Sequence, residues 1–153
     1  MRIAVLSDTH GLLRPQVMET INTCDVILHG GDMDTREVLE QLMALAPLYV
    51  VRGNNDMEWA KQIPLSLRFD LDGINFFMVH DKKDIPADLS NIDVVIYGHS
   101  HQYSEEQKDG RLYLNPGSCG KRRFRLDLTM AVMEIIDREI QVERIEIATS
   151  ASK

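Results

Sequence analysis

The sequence predicts an α/β fold in which a parallel, helix-flanked sheet is packed against a second sheet built from hairpins. Three observations carry that expectation. Before Asp56, short apolar runs end three times in polar loops rich in glycine, aspartate or asparagine, and two of those loops lead into apolar residues at helical spacing. Further along, helical spacing gives way to apolar runs paired around Asp72-Gly73 and Asp109-Gly110, which are hairpin signals. Finally, 153 residues with 44% hydrophobic and 27% charged side chains suffice for one well-filled core. The expected organisation is one domain over residues 1–147 with a frayed tail at 148–153.

Ile3-Ala4-Val5-Leu6 reads as a buried strand running directly into Ser7-Asp8-Thr9-His10-Gly11. Pro15 suits a first helical position, and Val17, Met18 and Ile21 continue at helical spacing. Asp25 to His29 is a second short strand, ending at Gly30-Gly31-Asp32. Asp34 followed three residues later by Glu37 resembles a capping box, and the helix after it carries Val38, Leu39, Leu42, Leu45 and Ala46 on one side until Pro47 stops it. Leu48 to Arg52 forms the third strand and leads into Gly53-Asn54-Asn55-Asp56. Leu67–Leu71 and Ile74–Val79 flank the first hairpin turn, and the second of these strands ends at His80. Val94 to Tyr97 is another buried strand, followed by Gly98-His99-Ser100-His101. A hairpin spans about Tyr103 to Leu114, Asn115-Pro116-Gly117-Ser118 is a turn, and the last strands lie near Met130–Ile136 and Ile140–Ile147.

Composition also excludes function classes. The first apolar run is too short for a signal peptide or a membrane span. Cys24 and Cys119 form no C-x-x-C pair and fit a reducing cytoplasm, the expected location. A formal net charge of −7 argues against dedicated nucleic-acid binding.

The histidines decide the chemistry. Of five, three (His10, His99 and His101) lie in polar loops after strands, and His80 ends a fourth strand, in company with Asp8, Asp32 and Asn54. Each alone is weak evidence, since Asp8 reads equally well as a helix cap. Seven nitrogen and oxygen donors without a cysteine are too many for one tetrahedral ion and suit two ions sharing a bridge. Asp32 is the best-placed bridge. Imidazole mixed with carboxylate favours Mn, Fe, Co, Ni or Zn over Mg or Ca.

Ser-Asp-Thr-His-Gly, Gly-Gly-Asp, Gly-Asn-Asn-Asp, the histidine after a hydrophobic strand, Gly-His-Ser-His and Asn-Pro-Gly-Ser, in this order, resemble the calcineurin-like metallophosphoesterases, in particular their small, single-domain YfcE-like branch. The resemblance implies a four-layer α/β/β/α sandwich of two packed mixed sheets. It also implies one ion on Asp8, His10, Asp32 and His101 and another on Asp32, Asn54, His80 and His99, with manganese first and Ni, Fe, Co or Zn as alternatives. The implied activity is hydrolysis of a small phosphoester, above all a phosphodiester, by in-line attack of a hydroxide bridging the two ions, with Asn54, Asp32 and His99 at the catalytic centre. It further implies a homo-oligomer, dimer or tetramer, and no membrane partner.

Two departures from the family pattern stand out. Asn55 occupies the place where many members carry a histidine that protonates the leaving group. Lys82 replaces the second histidine of the family's Thr-His-Gly-His; it reads as a phosphate-binding point charge or as a solvated loop lysine. His29 reads as structural, Asp56 as orienting a ligand or capping a helix, Trp59 as a pocket wall or a packing residue, and Lys121-Arg122-Arg123 with Arg125 as a solvated or contact face. The competing function is a metal-binding interaction scaffold of the same fold, as in the retromer subunit of vacuolar sorting. A DNA nuclease like the break-repair relatives would need basic surfaces that an acidic chain lacks.

Overall fold

The structure, a computed structural model, describes residues 1–122 and 125–148. In chain order the elements are β1 (Arg2–Leu6), α1 (Pro15–Ile21), β2 (Val26–His29), α2 (Arg36–Leu45), β3 (Leu48–Val50), β4 (Ser66–Leu71), β5 (Ile74–Val79), β6 (Val94–Ile96), β7 (Ser104–Lys108), β8 (Arg111–Asn115), β9 (Thr129–Ile136) and β10 (Glu139–Glu146). They form two five-stranded mixed sheets, ordered β10-β9-β1-β2-β3 and β4-β5-β6-β8-β7.

Alternation along β1 explains the layering. Ile3 and Val5 face the second sheet, where they meet Phe76, Met78, Val94, Ile96, Leu112 and Leu114. Ala4 and Leu6 face outward, under Val17 and Ile21 of α1 and Val38 and Leu42 of α2. The outer face of the second sheet, with Phe77, Val79, Val95 and Tyr97, is covered by Leu89 and Ile92. That fourth layer is a connecting segment holding one 3-10 turn, Lys82–Asp84, so the helical cover is thicker on the first sheet. Phe69 stacks between Tyr49 and Phe76, with ring centroids 4.4 and 5.2 Å away.

The C-terminal hairpin belongs to the first sheet, not to the hairpin-built one. β9 pairs antiparallel with β1, in register Ile3 to Met133 and Val5 to Ala131. The physical reason is its apolar character on both faces: Thr129 to Met133 are all buried, which suits only an interior strand. β10 alternates exposed and half-buried residues, and its glutamates blunt the open edge.

At α2 the cap differs from expectation. Thr35, in extended conformation, accepts from the Val38 N–H, whereas Asp34 sits at a φ of 70° and is turned elsewhere. Trp59 lies in a second 3-10 turn, Glu58–Ala60, and packs half-buried against the helix-side core. Lys121 and Arg122 are exposed; Arg123 and the tail 149–153 lie outside the described residues. Among the described residues, no helix is long and apolar enough to cross a membrane.

Phe76 is fully buried between the sheets. Phe76→Ala is expected to lower unfolding stability by about 3–5 kcal/mol. Urea denaturation measures this, and a loss below about 1 kcal/mol would mean that the inter-sheet layer is not the main core.

Candidate metal centre

The polar loops that follow β1, β2, β3, β5 and β6 converge on one edge of the sandwich, at the carboxyl ends of strands from both sheets. The first loop carries Asp8 and His10, the second Asp32, the third Asn54, the fourth His80 and the fifth His99 with His101. Five of these residues adopt left-handed backbone: Asp8 (φ 54°), His10 (46°), Asp32 (62°), His99 (75°) and His101 (64°). Aspartate, asparagine and histidine enter this region more readily than other side chains, though still at a cost. The reversal re-aims each side chain as its strand ends.

Backbone hydrogen bonds zip the first two loops together, from Asp8 N to the Gly31 carbonyl (2.9 Å) and from His10 N to the Asp32 carbonyl (3.0 Å). Glycine is required at Gly53, where a Cβ would run into the Asp32 carboxylate. Asp56 holds the second and third loops in place. Its Oδ2 accepts from Asp32 N (2.8 Å) and Gly53 N (2.9 Å), and its Oδ1 accepts from Asp34 N (2.9 Å).

All seven donors singled out in the sequence come together here. Asp8 Oδ1 lies 3.4 Å from His101 Nε2, 3.7 Å from His10 Nε2 and 3.9 Å from His80 Nε2. His10 Nε2 and His101 Nε2 are 3.0 Å apart. Asp32 Oδ2 lies 3.2 Å from His80 Nε2 and 4.0 Å from His10 Nε2. His99 Nδ1 lies 3.3 Å from His80 Nε2 and 3.2 Å from Asn54 Oδ1. Asp8, His10 and His101 therefore form one set of candidate ligands, and Asp32, His80 and His99 another. Asp8, His10 and His101 are buried, whereas Asn54 and His99 are exposed and form the outer rim.

This donor set fits a divalent cation. Asp8 Oδ1 is buried without a hydrogen-bond partner, although three imidazole nitrogens surround it. His80 Nδ1 lies 2.7 Å from the Gly30 carbonyl, which can only accept, so His80 donates there and turns Nε2 toward Asp32. So many acceptors facing one another need protons or a cation between them.

Protons and a cation compete for that place. Burial opposes ionisation of Asp8, but the nearby imidazoles of His10, His101 and His80, with the hydrogen bond from Ser7, hold its carboxyl well below the usual range. The Asp8 carboxylate beside it, helped by Asp34, raises His10 against the opposing effect of burial. Burial works against the charged form of His80, yet Asp32 and Asp8 push it up to about 9. His29 behaves oppositely: full burial drives it down to about 4. As a neutral ring it accepts from Gly31 N (3.0 Å) and shares a 3.1 Å hydrogen bond with the Thr9 hydroxyl, which is a structural role.

Asp32, Asp34 and Asp56 also lie close together. Asp56, however, spends both oxygens on backbone N–H groups, so it orients the loops. The sequence reading treats Asp34 as a cap, but its Oδ2 contacts His10 Nδ1 at 3.0 Å. Three more supporting contacts come from residues of the Ser-Asp-Thr-His-Gly and Asn-Pro-Gly-Ser motifs that the sequence reading does not single out individually. Ser7 Oγ donates to Asp8 Oδ2 (2.6 Å), Ser118 Oγ to the Asp8 carbonyl (2.8 Å), and Asn115 Nδ2 to the Gly98 carbonyl (3.1 Å).

Asn55 sits at the rim, its N–H donating to Asp32 Oδ1 (2.8 Å). Lys82 is not among the clustered donors. Its Nζ lies 5.9 Å from the Tyr97 ring centroid, beside a cavity of about 400 Å³ that His99 and Asn115 also line. On the other side of Asp81, a cavity of about 410 Å³ is lined by Arg52, Asn54, Leu65, Val79 and His80.

Residues 1–138 match the family model described as the calcineurin-like phosphoesterase superfamily domain. The chain is 28% identical to a probable metallophosphoesterase of Methanothermobacter thermautotrophicus, covering 94% of this chain and 91% of that one. Among solved structures it is similar to an archaeal phosphodiesterase (TM-score 0.78, 25% identity, 95% of this chain and 100% of the other). It also shares its fold with a single mutant of Vps29 from Entamoeba histolytica (TM-score 0.75, 21% identity, 97% and 100%).

Metal must compete with protons here, because the neighbouring carboxylates raise His10 and His80. The stabilising part of the raised His80 pKa is present below about 6.5 and lost as pH rises through about 9. Metal binding should run the other way and strengthen across that interval. Added Mn²⁺ is expected to raise Tm more at pH 8.5 than at 7.5, and least near pH 5, with protons released on binding. Thermal melts, and calorimetry in buffers of different ionisation enthalpy, check this. A Tm shift independent of pH would contradict it.

Proposed function

This chain belongs to the calcineurin-like phosphoesterase superfamily, and from that premise we propose that it is a phosphodiesterase working with two divalent transition-metal ions, manganese first among Mn, Ni, Fe, Co and Zn. The observation that carries the reading is the position of Asp32. Its Oδ2 lies between the two donor groups, 3.2 Å from His80 Nε2 and 4.0 Å from His10 Nε2, where one carboxylate can serve both ions. In this reading Asp8, His10, Asp32 and His101 hold one ion, and Asp32, Asn54, His80 and His99 hold the other. When bound, such ions supply Lewis-acid binding of phosphoryl oxygens and an acidified water as nucleophile near neutral pH.

The protein's own groups set the rest. The exposed Asn54 and His99 are the donors nearest an incoming substrate, while Asp8 and His10 stay buried beneath them. The two cavities on either side of Asp81 suit an ester with two arms. A phosphodiester places one arm beside Arg52, Leu65 and Val79 and the other beside Lys82 and Tyr97, where Lys82 acts as a point charge for a phosphoryl oxygen. Asn55 cannot give a proton to a leaving oxygen near neutral pH. Substrates whose leaving groups are stable as anions are therefore favoured, and doubly charged monoesters with poor leaving groups are not. The complete donor set favours an enzyme over an interaction scaffold of the same fold.

Bis(p-nitrophenyl) phosphate with Mn²⁺ is the expected assay substrate, cleaved with a higher kcat/KM than p-nitrophenyl phosphate. Asn55→His should narrow the gap for poor leaving groups. A tenfold preference of the metal-loaded protein for the monoester would overturn the diesterase reading.

If Asp32 bridges, Asp32→Ala should lose both ions together, whereas His80→Ala should lose mainly one. Elemental analysis of the purified variants decides this. Nearly two ions per chain retained in Asp32→Ala would remove the bridge.

A further inference from the structure

We propose that Asp34 is a positioning residue for His10, whose carboxylate fixes the ring with Nε2 facing Asp8 and His101 and, through its charge, strengthens that imidazole as a metal donor. The proposal rests on the reading of His10 as a metal ligand. Thr35 caps α2, so the Asp34 side chain is released from that task. Asp34 Oδ2 instead lies 3.0 Å from His10 Nδ1, and its Oδ1 is buried with no hydrogen-bond partner. The left-handed backbone at Asp34 (φ 70°) and its N–H bond to Asp56 Oδ1 aim the carboxylate back across to the first loop.

The contrast with His80 shows what the carboxylate adds. Both rings use Nδ1 for support and leave Nε2 for the centre. His80 leans on the neutral Gly30 carbonyl at 2.7 Å, but His10 leans on a carboxylate. An anionic partner on the far nitrogen makes an imidazole a better donor, and removing such a partner typically weakens metal binding about 10–100-fold. Asp34 therefore makes the two positions unequal, favouring the ion held by Asp8, His10 and His101.

The test uses the full chain stripped of metal and titrated with Co²⁺ as probe, followed by visible absorption and by ion content after dialysis. Asp34→Asn suits the left-handed backbone and keeps an acceptor for His10 Nδ1 while losing the charge. It should weaken one of the two ions about tenfold and alter that ion's absorption band. Asp34→Ala, which also loses the acceptor, should weaken the same ion toward about 100-fold. The other ion should change less than about threefold in either variant, a margin narrower than the effect sought. Thr35→Ala, which removes the helix cap next door, should leave both affinities unchanged and so reports on loop damage alone. Wild-type affinity in Asp34→Asn would overturn the proposal, as would equal weakening by Thr35→Ala and Asp34→Ala. Wild-type protein that binds no Co²⁺, or His10→Ala that binds as tightly as wild type, would overturn the ligand assignment of His10 and the inference with it.

Discussion

The two sheets are tied together at the candidate centre by one buried carboxylate. Asp8 lies in the loop after β1 of the first sheet, and its Oδ2 accepts from the backbone N–H of His99, in the loop after β6 of the second sheet, at 3.0 Å. Ser7 Oγ donates to the same oxygen, and Ser118 Oγ donates to the Asp8 carbonyl. Asp8 N reaches the Gly31 carbonyl in the loop after β2. One residue thus ties the first loop to three other segments. A buried carboxylate is costly unless charge and hydrogen bonds compensate it, and here the compensation divides by atom. Oδ2 is satisfied by the protein, and Oδ1 is left to the ring of histidines.

That arrangement works only because the backbone turns over at nearly every donor. Left-handed residues cost roughly 1–2 kcal/mol each, and Asp8, His10, Asp32, His99 and His101 all adopt this conformation. The loops keep it because Asp56, His29 and the interlocked backbone bonds over-determine their path, above a core that is apolar and fully packed between the sheets. Strain is concentrated where the donors converge, and the sandwich beneath supplies the stability that offsets it.

Burial then grades the centre from inside to outside. Asp8, His10, Asp32, His80 and His101 all lie beneath the surface, and Asn54 and His99 meet solvent at the mouths of the two cavities. An ion on the inner donors would have little room to exchange ligands, whereas the outer donors face whatever enters. Asn54 follows β3 at the edge of the first sheet, whereas β1, beneath Asp8 and His10, is central; His99 and His101 share the loop after β6 yet differ in burial.

Much of this was legible from the chain alone, because periodicity and loop composition are local. The strands, both helices, the hairpin turns and the seven clustered donors follow from apolar runs ending in polar loops, and the motif order points to the family. What the chain could not show is non-local. The final hairpin joins β1 instead of the second sheet because β9 is apolar on both faces and only the interior of the first sheet buries both. Asp34 reads as the cap of α2, but the fold puts Thr35 on α2 and turns Asp34 to His10. Asp56 reads as orienting a ligand or capping a helix, and only the fold shows that it receives the backbone N–H groups of Asp32, Asp34 and Gly53. Sequence determines which residues can carry charge, donate or accept. Which partner each one meets is decided by tertiary structure, since a hydrogen bond forms only where two loops, distant along the chain, are brought within about 3 Å.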